Sequence, residues 1–254
     1  MIQDDRNHSP DRPTSAAVDE RRDAAPTVSS AAEADKNEDA HGEAAFRARA
    51  AVGLYRVEPP AHQGGSDFDL NPGLAAELAA LAAATGAASP PLKRAAVLVP
   101  VVRRDPLTVL LTLRTDGLSS HAGQIAFPGG KVDAADADAT AAALREAEEE
   151  IGLTSAFVEP LGYLDPYRTG TGFIIHPVVA LVSPGFTIIP NPGEVSDVFE
   201  VPLGFLMDAA NHQRHARVWN GRERHFYAMP YEQRFIWGAT AGMLRNMHER
   251  LYRP

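Results

Sequence analysis

The chain has 254 residues, no cysteine, 44% hydrophobic residues and a formal net charge of -9. That is enough apolar material for one sizeable core plus extensions, and it excludes disulfides, thiolate zinc sites and a cysteine nucleophile. No run of about 18 apolar residues offers a membrane span, and no basic stripe offers a nucleic-acid surface.

The charge is unevenly placed. Residues 1–45 carry eleven Asp and Glu against five Lys and Arg, a balance of -6 that leaves -3 for everything after. This segment is rich in Asp, Glu, Ser, Ala and Pro, holds almost no large apolar residues, and cannot offset its own ordering entropy, so it reads as a disordered acidic tail. It lacks a charged start followed by an apolar stretch, which argues against a secretory signal, and its acidity argues against a transit peptide. The expected compartment is cytoplasmic.

Residues 46–92 read as a helical extension. Phe46 to Val57 is a short helix candidate that turns Phe46, Ala50, Leu54 and Tyr55 inward, and Asn71-Pro72 looks like a helix start leading into GLAAELAALAAA. Both helices are expected to pack on the main domain, residues 93–254.

From Ala95 the pattern changes. AAVLVPVV and LTVLLTLR are short, β-branched apolar runs separated by Arg103-Arg104-Asp105-Pro106, a hairpin signal. Further strand candidates are Gln124 to Phe127, Phe157 to Leu164, Phe173 to Val182 and Ser196 to Val201, and a last helix runs from Ala239 to Leu251. Strands on both sides of one central helix imply an α/β fold, a mixed β-sheet in an α/β/α sandwich.

The central helix lies in FPGGKVDAADADATAAALREAEEEIGL, residues 127–153. With Asp138 or Thr140 opening it, Glu146, Glu149 and Glu150 share one face and Glu148 points away. Like charges at these spacings destabilise a helix unless a cation shares them, and hard oxygen donors suit Mg2+ or Mn2+. Gly129 and Gly130 stand where a sharp turn or close backbone approach to a ligand needs glycine.

Read together, Gly129-Gly130, a spacer and Arg145-Glu146-Ala147-Glu148-Glu149-Glu150-Ile151-Gly152-Leu153 resemble the Nudix box. Asp136 stands where the box usually has Glu, and eight residues rather than seven separate it from Arg145, a spacer similar to that of the coenzyme A pyrophosphatase branch. Upstream, Leu110-Leu111-Thr112-Leu113-Arg114 and later Gly123 and Phe127-Pro128-Gly129-Gly130 resemble the signature that accompanies the box in that branch. Thr115 replaces the usual Ser or Ala, and Ser119 replaces an Arg, losing a guanidinium able to grip phosphate bidentately.

The resemblance implies a Nudix fold and a metal-dependent pyrophosphohydrolase acting on a small nucleotide substrate, coenzyme A or its thioesters above all. Glu146, Glu149, Glu150 and the carbonyl of Gly130 are the implied ligands of Mg2+ or Mn2+, and Arg145 the residue that holds a neighbouring glutamate. Arg114, Gln124, His121, Gly129 and Gly130 are the candidate substrate contacts. Glu194, chosen over Asp197 and Glu200, is the candidate carboxylate from a later loop that completes the metal site or activates water. A homodimer is compatible with the resemblance. The Gly-rich segment 164–173 reads equally as a site-lining loop or a connector, Trp237 as core, and the competing functions are hydrolysis of ADP-ribose or a dinucleotide polyphosphate, or a non-catalytic binding module.

Overall fold

The computed structural model describes residues 41–74, 76–77, 80, 91–116, 123–219 and 221–253. Residues 1–40 of the expected acidic tail, most of the helix expected after Pro72, Ser119 and His121 lie outside the described residues, whereas Glu43 to Ala45, expected to belong to the tail, open the first helix because Phe46 and Ala50 fold into the core.

Eleven strands and four α-helices are described. In chain order they are α1 (Glu43–Gly53), β1 (Lys93–Val102), β2 (Thr108–Arg114), β3 (Ile125–Ala126), β4 (Gly129–Lys131), α2 (Ala139–Ile151), β5 (Val158–Tyr163), β6 (Tyr167–Arg168) and β7 (Phe173–Val182). Then follow β8 (Val195–Pro202), α3 (Leu203–Met207), β9 (Gln213–Trp219), β10 (Arg222–Tyr231), β11 (Arg234–Trp237) and α4 (Gly238–Leu251). The main sheet runs β3-β2-β1-β7-β5, with β4 on β1, β6 on β7 and β8 on β2. β1 and β7 are parallel and the other pairs antiparallel, which makes the sheet mixed. A second, antiparallel sheet has the order β11-β10-β9.

Side chains two apart share a face of a strand, and β1 divides accordingly. Ala96, Leu98 and Val102 join Leu110, Val178, Ala180 and Val182 under α2, whose inner face is Ala139, Ala142, Ala143, Ala147 and Ile151. Four alanines let this helix lie close to the sheet. Val97, Val99 and Val101 face the other way, with Val109, Leu111, Val179 and Leu181, and meet Phe46, Ala50 and Leu54 from the N-terminal segment and Ala241, Met243, Leu244, Met247 and Leu251 of α4. Helices on both faces of a mixed sheet give the expected α/β/α sandwich.

Pro100 lies inside this central strand without cost to the ladder. Leu98 N–H donates to Pro128 O at 2.9 Å, so the nitrogen of Pro100, two residues on, faces the same side, in the interval where β1 passes from β4 to β2.

The helix expected from Phe46 to Val57 is α1, displaced toward the N-terminus. Leu54 leaves the helix in extended conformation, and Tyr55 exchanges backbone hydrogen bonds with Tyr163 at 3.0 and 2.9 Å, an edge partner that local sequence does not reveal.

Candidate active site

The box helix α2 is fixed at both ends. Asp138, one of the two candidates, caps it by accepting from Ala141 N–H at 2.8 Å. Gly152 closes it at φ 71, the left-handed conformation that glycine adopts without penalty. Between these caps the helix holds Glu146 and Glu150 toward the turn at Gly129-Gly130.

That turn needs Gly129, and Gly130 lets Glu146 approach it closely. Gly129 has φ 153, and a Cβ there would lie 2.4 Å from Ala96 O and 2.6 Å from Val97 Cα. A Cβ on Gly130 would lie 2.5 Å from the carboxyl carbon of Glu146. The backbone of the turn therefore runs directly against the carboxylates, and Gly129 N–H donates to Glu150 Oε2 at 3.1 Å.

Glu150 is 3% exposed. Burial pushes its carboxyl up to about 7, opposed by the Gly129 N–H and the Arg114 guanidinium and assisted by the charges of Glu194 and Glu146. Glu146 is also raised, by burial first, against the pull of Arg145 and with the repulsion of Glu149 and Glu194. Carboxylates that raise one another in a half-dry site lack positive charge.

Arg145 is the organiser of the helix's outer turn. Its fork takes both oxygens of Asp136 at 3.0 Å, Glu146 at 2.9 Å, Glu149 at 3.0 Å and Lys131 O at 3.1 Å. The expected ion pair with a neighbouring glutamate is thus present, together with an anchor, Asp136, whose role the sequence left open. Hydrogen bonds from Arg145, then Asp133 N–H, hold Asp136 below the usual carboxylate range. Glu149 faces outward, its side chain 57% exposed, and stands apart from Glu150.

Arg114 ends β2 at a register shift against β8, between Leu113 and Arg114. The ladder is irregular there, and Nη1 comes to 3.6 Å from Glu150 Oε1. Its buried Nε has no hydrogen-bond partner. Gln124 O accepts from Arg114 N–H at 3.0 Å, which keeps the base of this side chain fixed.

The loop before β8 brings in Glu194. Ile189 N–H and Asn191 N–H donate to the carbonyls of Ile151 and Glu150 at 2.9 and 2.8 Å, and Thr115 N–H donates to Glu194 O at 3.0 Å. The carboxylate of Glu194 lies near enough to raise both Glu146 and Glu150. Asp197 and Glu200 are engaged elsewhere, with Arg234 at 2.5 Å and with Arg104 at 2.8 Å.

Other expectations resolve differently. The loop 164–173 binds the N-terminal segment: Asp67 accepts from Tyr167 OH at 2.8 Å and from Gly170 N–H at 2.7 Å. Trp237 is half-buried, edge-on to Phe226 at 5.2 Å.

Among the described residues no three His, Asp or Glu side chains already stand in ligand geometry, and Arg145 holds both Glu146 and Glu149. Chemically the residues fit a divalent cation: Glu146, Glu150 and Glu194 are hard oxygen donors, burial first and then their mutual repulsion raise Glu146 and Glu150, and the glycine turn admits a ligand close to the backbone.

The NUDIX domain model matches residues 92–220. The chain is 43% identical over 155 residues to the uncharacterized Nudix hydrolase NudL of Escherichia coli strain K12, covering 61% of this chain and 81% of that protein. Among solved structures it is similar to a C. elegans Ap4A hydrolase binary complex at 20% identity and TM-score 0.38, covering 43% of this chain and 80% of that one. It is similar also to the NUDIX domain of Shewanella oneidensis NrtR complexed with ADP ribose, at 23% identity and TM-score 0.36, covering 49% and 82%.

Proposed function

The chain belongs to the Nudix family, and from that premise we propose that it is a Mg2+- or Mn2+-dependent hydrolase of coenzyme A or its thioesters, yielding 3',5'-ADP and a 4'-phosphopantetheine product. The observation that carries the chemistry is the convergence of Glu146 and Glu150 on the Gly129-Gly130 turn, with the charge of Glu194 near enough to act on both. The observation that narrows the substrate is the flanking run from Leu110 to Gly130, which resembles the coenzyme A pyrophosphatase signature.

Water is a poor nucleophile toward an anionic diphosphate. Glu146, Glu150 and the Gly130 carbonyl would hold a divalent cation, with Glu149 joining them once its outward side chain leaves Arg145, and the cation would supply charge neutralisation and water activation. The chain's own groups do the rest. Arg145 keeps the box glutamates in place through Asp136. Arg114, facing Glu150 across 3.6 Å, grips a phosphate oxygen and offsets the charge that builds on the reacting group. Glu194 takes the proton of the attacking water as its oxygen bonds to phosphorus, and the bridging P–O bond breaks with its electrons passing to the leaving phosphate.

A second reading, hydrolysis of ADP-ribose or a dinucleotide polyphosphate, is favoured by one observation: Ser119 replaces the arginine of the coenzyme A signature. The test is product analysis with Mg2+ or Mn2+ and, separately, coenzyme A, ADP-ribose, NADH and a diadenosine polyphosphate. Formation of 3',5'-ADP from coenzyme A at the highest kcat/KM supports the first reading. A higher value for another diphosphate moves the substrate and keeps the glutamate chemistry. No turnover of any would leave a binding module.

A further inference from the structure

We infer that Asn191 is a positioning residue for Glu194, an inference that rests on the role given to Glu194 above. Asn191 is the hub of the loop between Ile189 and Val195. Its backbone N–H donates to Glu150 O at 2.8 Å, and its carbonyl accepts from the N–H groups of Glu194 and Val195 at 3.0 and 2.8 Å. Its side chain works in two directions. Oδ1 accepts from Gly193 N–H at 3.1 Å, closing a tight turn, and Nδ2 donates to Glu194 Oε1 at 3.3 Å.

The consequence is geometric. The same residue holds the Glu150 carbonyl near the end of the box helix and the carboxylate that must face Glu150 from outside the box. Glu194 O in turn accepts from Thr115 at 3.0 Å, the residue after Arg114. Glu150, Glu194 and Arg114 thus share one hydrogen-bonded unit, and the Asn191 amide sets the direction of the Glu194 carboxylate within it. A misplacement of about 1 Å in such a group is enough to cost about a hundredfold in rate.

Two substitutions separate the side chain's roles. Asn191→Ala removes both contacts, whereas Asn191→Asp keeps the acceptor for Gly193 N–H, removes the donor to Glu194 and places a like charge beside it. Both are expected to lower kcat about 10- to 100-fold on coenzyme A with Mg2+, or on ADP-ribose if that is the better substrate, with KM changed less than about threefold. In the Glu194→Gln background neither is expected to lower kcat further, because the effect passes through Glu194. A structural role in the turn predicts the opposite: Asn191→Asp behaves as wild type, and Asn191→Ala adds its loss to that of Glu194→Gln.

A second readout needs no turnover. In 15N-labelled protein the Asn191 side-chain amide resonances are expected to move on Glu194→Gln and to stay in place on Glu148→Gln. Failure of both the kinetic coupling and the resonance shift, with Glu194→Gln still impaired, overturns the inference about Asn191 alone. Full activity in Glu194→Gln overturns the role of Glu194 itself.

Discussion

Arg145 makes five hydrogen bonds across the outer turn of the box helix, two of them to Asp136. A planar fork can reach the anchor and two glutamates at once, and a lysine, a single point charge, cannot. Arg145→Lys is therefore expected to lower kcat by about 10- to 100-fold, the usual effect of losing a supporting contact, while the melting temperature changes little. Glu150 presents the reverse balance. Its carboxylate is buried against its own preference, and burial without a full complement of partners costs stability. Glu150→Gln is expected to reduce kcat by about a hundred- to a thousandfold, since cation-based charge stabilisation supplies several kcal/mol. The same variant, melted in chelator, is expected to be at least as stable as the wild type. A lowered melting point together with unchanged kcat would mean that Glu150 holds the turn and does no chemistry.

At the level of elements, the strand β4 and the helix α2 meet at a turn with no room for a side chain at Gly129. Gly129→Ala puts a Cβ 2.4 Å from Ala96 O at φ 153, and a strained backbone of this kind costs about 1–3 kcal/mol. Thermal melts are expected to show that loss, with turnover falling too because Gly129 N–H holds Glu150. Farther along the same side of the sheet, Glu200 ties β8 to β2. Burial works to raise its carboxyl, but hydrogen bonds from Arg104 and Thr108 outweigh it and hold it below its usual value. A lowered folded-state pKa contributes stability above the unfolded value of about 4.3 and loses it as pH falls through the folded value. Glu200→Gln is expected to melt below wild type at pH 7 by an amount worth under about 1 kcal/mol, the pair being partly exposed, and the gap is expected to close below pH 4. The long elements were legible because their periods are strong: β7 matches residues 173–182, and the box helix carries its own caps. The second sheet was not. β9 and β10 are studded with Arg, Glu and His, and among the described residues of this sheet the fully buried side chains are Ala228, Met229 and Ile236, the last two paired across β10 and β11. At the site, the spacing of Glu146, Glu149 and Glu150 was readable, but the roles of Asp136 and Asn191 depend on which backbone segments meet.

The whole molecule is held together by a segment that precedes its first long strand. Phe46, Ala50 and Leu54 fill the core beneath β1 and β7, Glu58 binds Arg94 at 2.6 Å and the first N–H of the box helix at 3.3 Å, and Asn71 takes both backbone groups of His225 at 2.8 Å. Deleting residues 1–40 touches none of these contacts. It is expected to leave kcat within about twofold and the melting temperature unchanged, whereas Phe46→Ala removes a fully buried ring and is expected to cost about 3–5 kcal/mol. Against a total stability of about 5–15 kcal/mol for an ordinary domain, that single loss lowers the melting temperature by roughly 6–20 °C at about 2–4 °C per kcal/mol. Deletion through residue 58 goes further, removing the ring, the edge partner of Tyr163 and the carboxylate at the head of the catalytic helix together. Soluble, fully active protein from residue 59 onward would show that the sheet completes its core without the extension. Aggregation of that fragment beside full activity of the shorter deletion would locate the true start of the domain at α1.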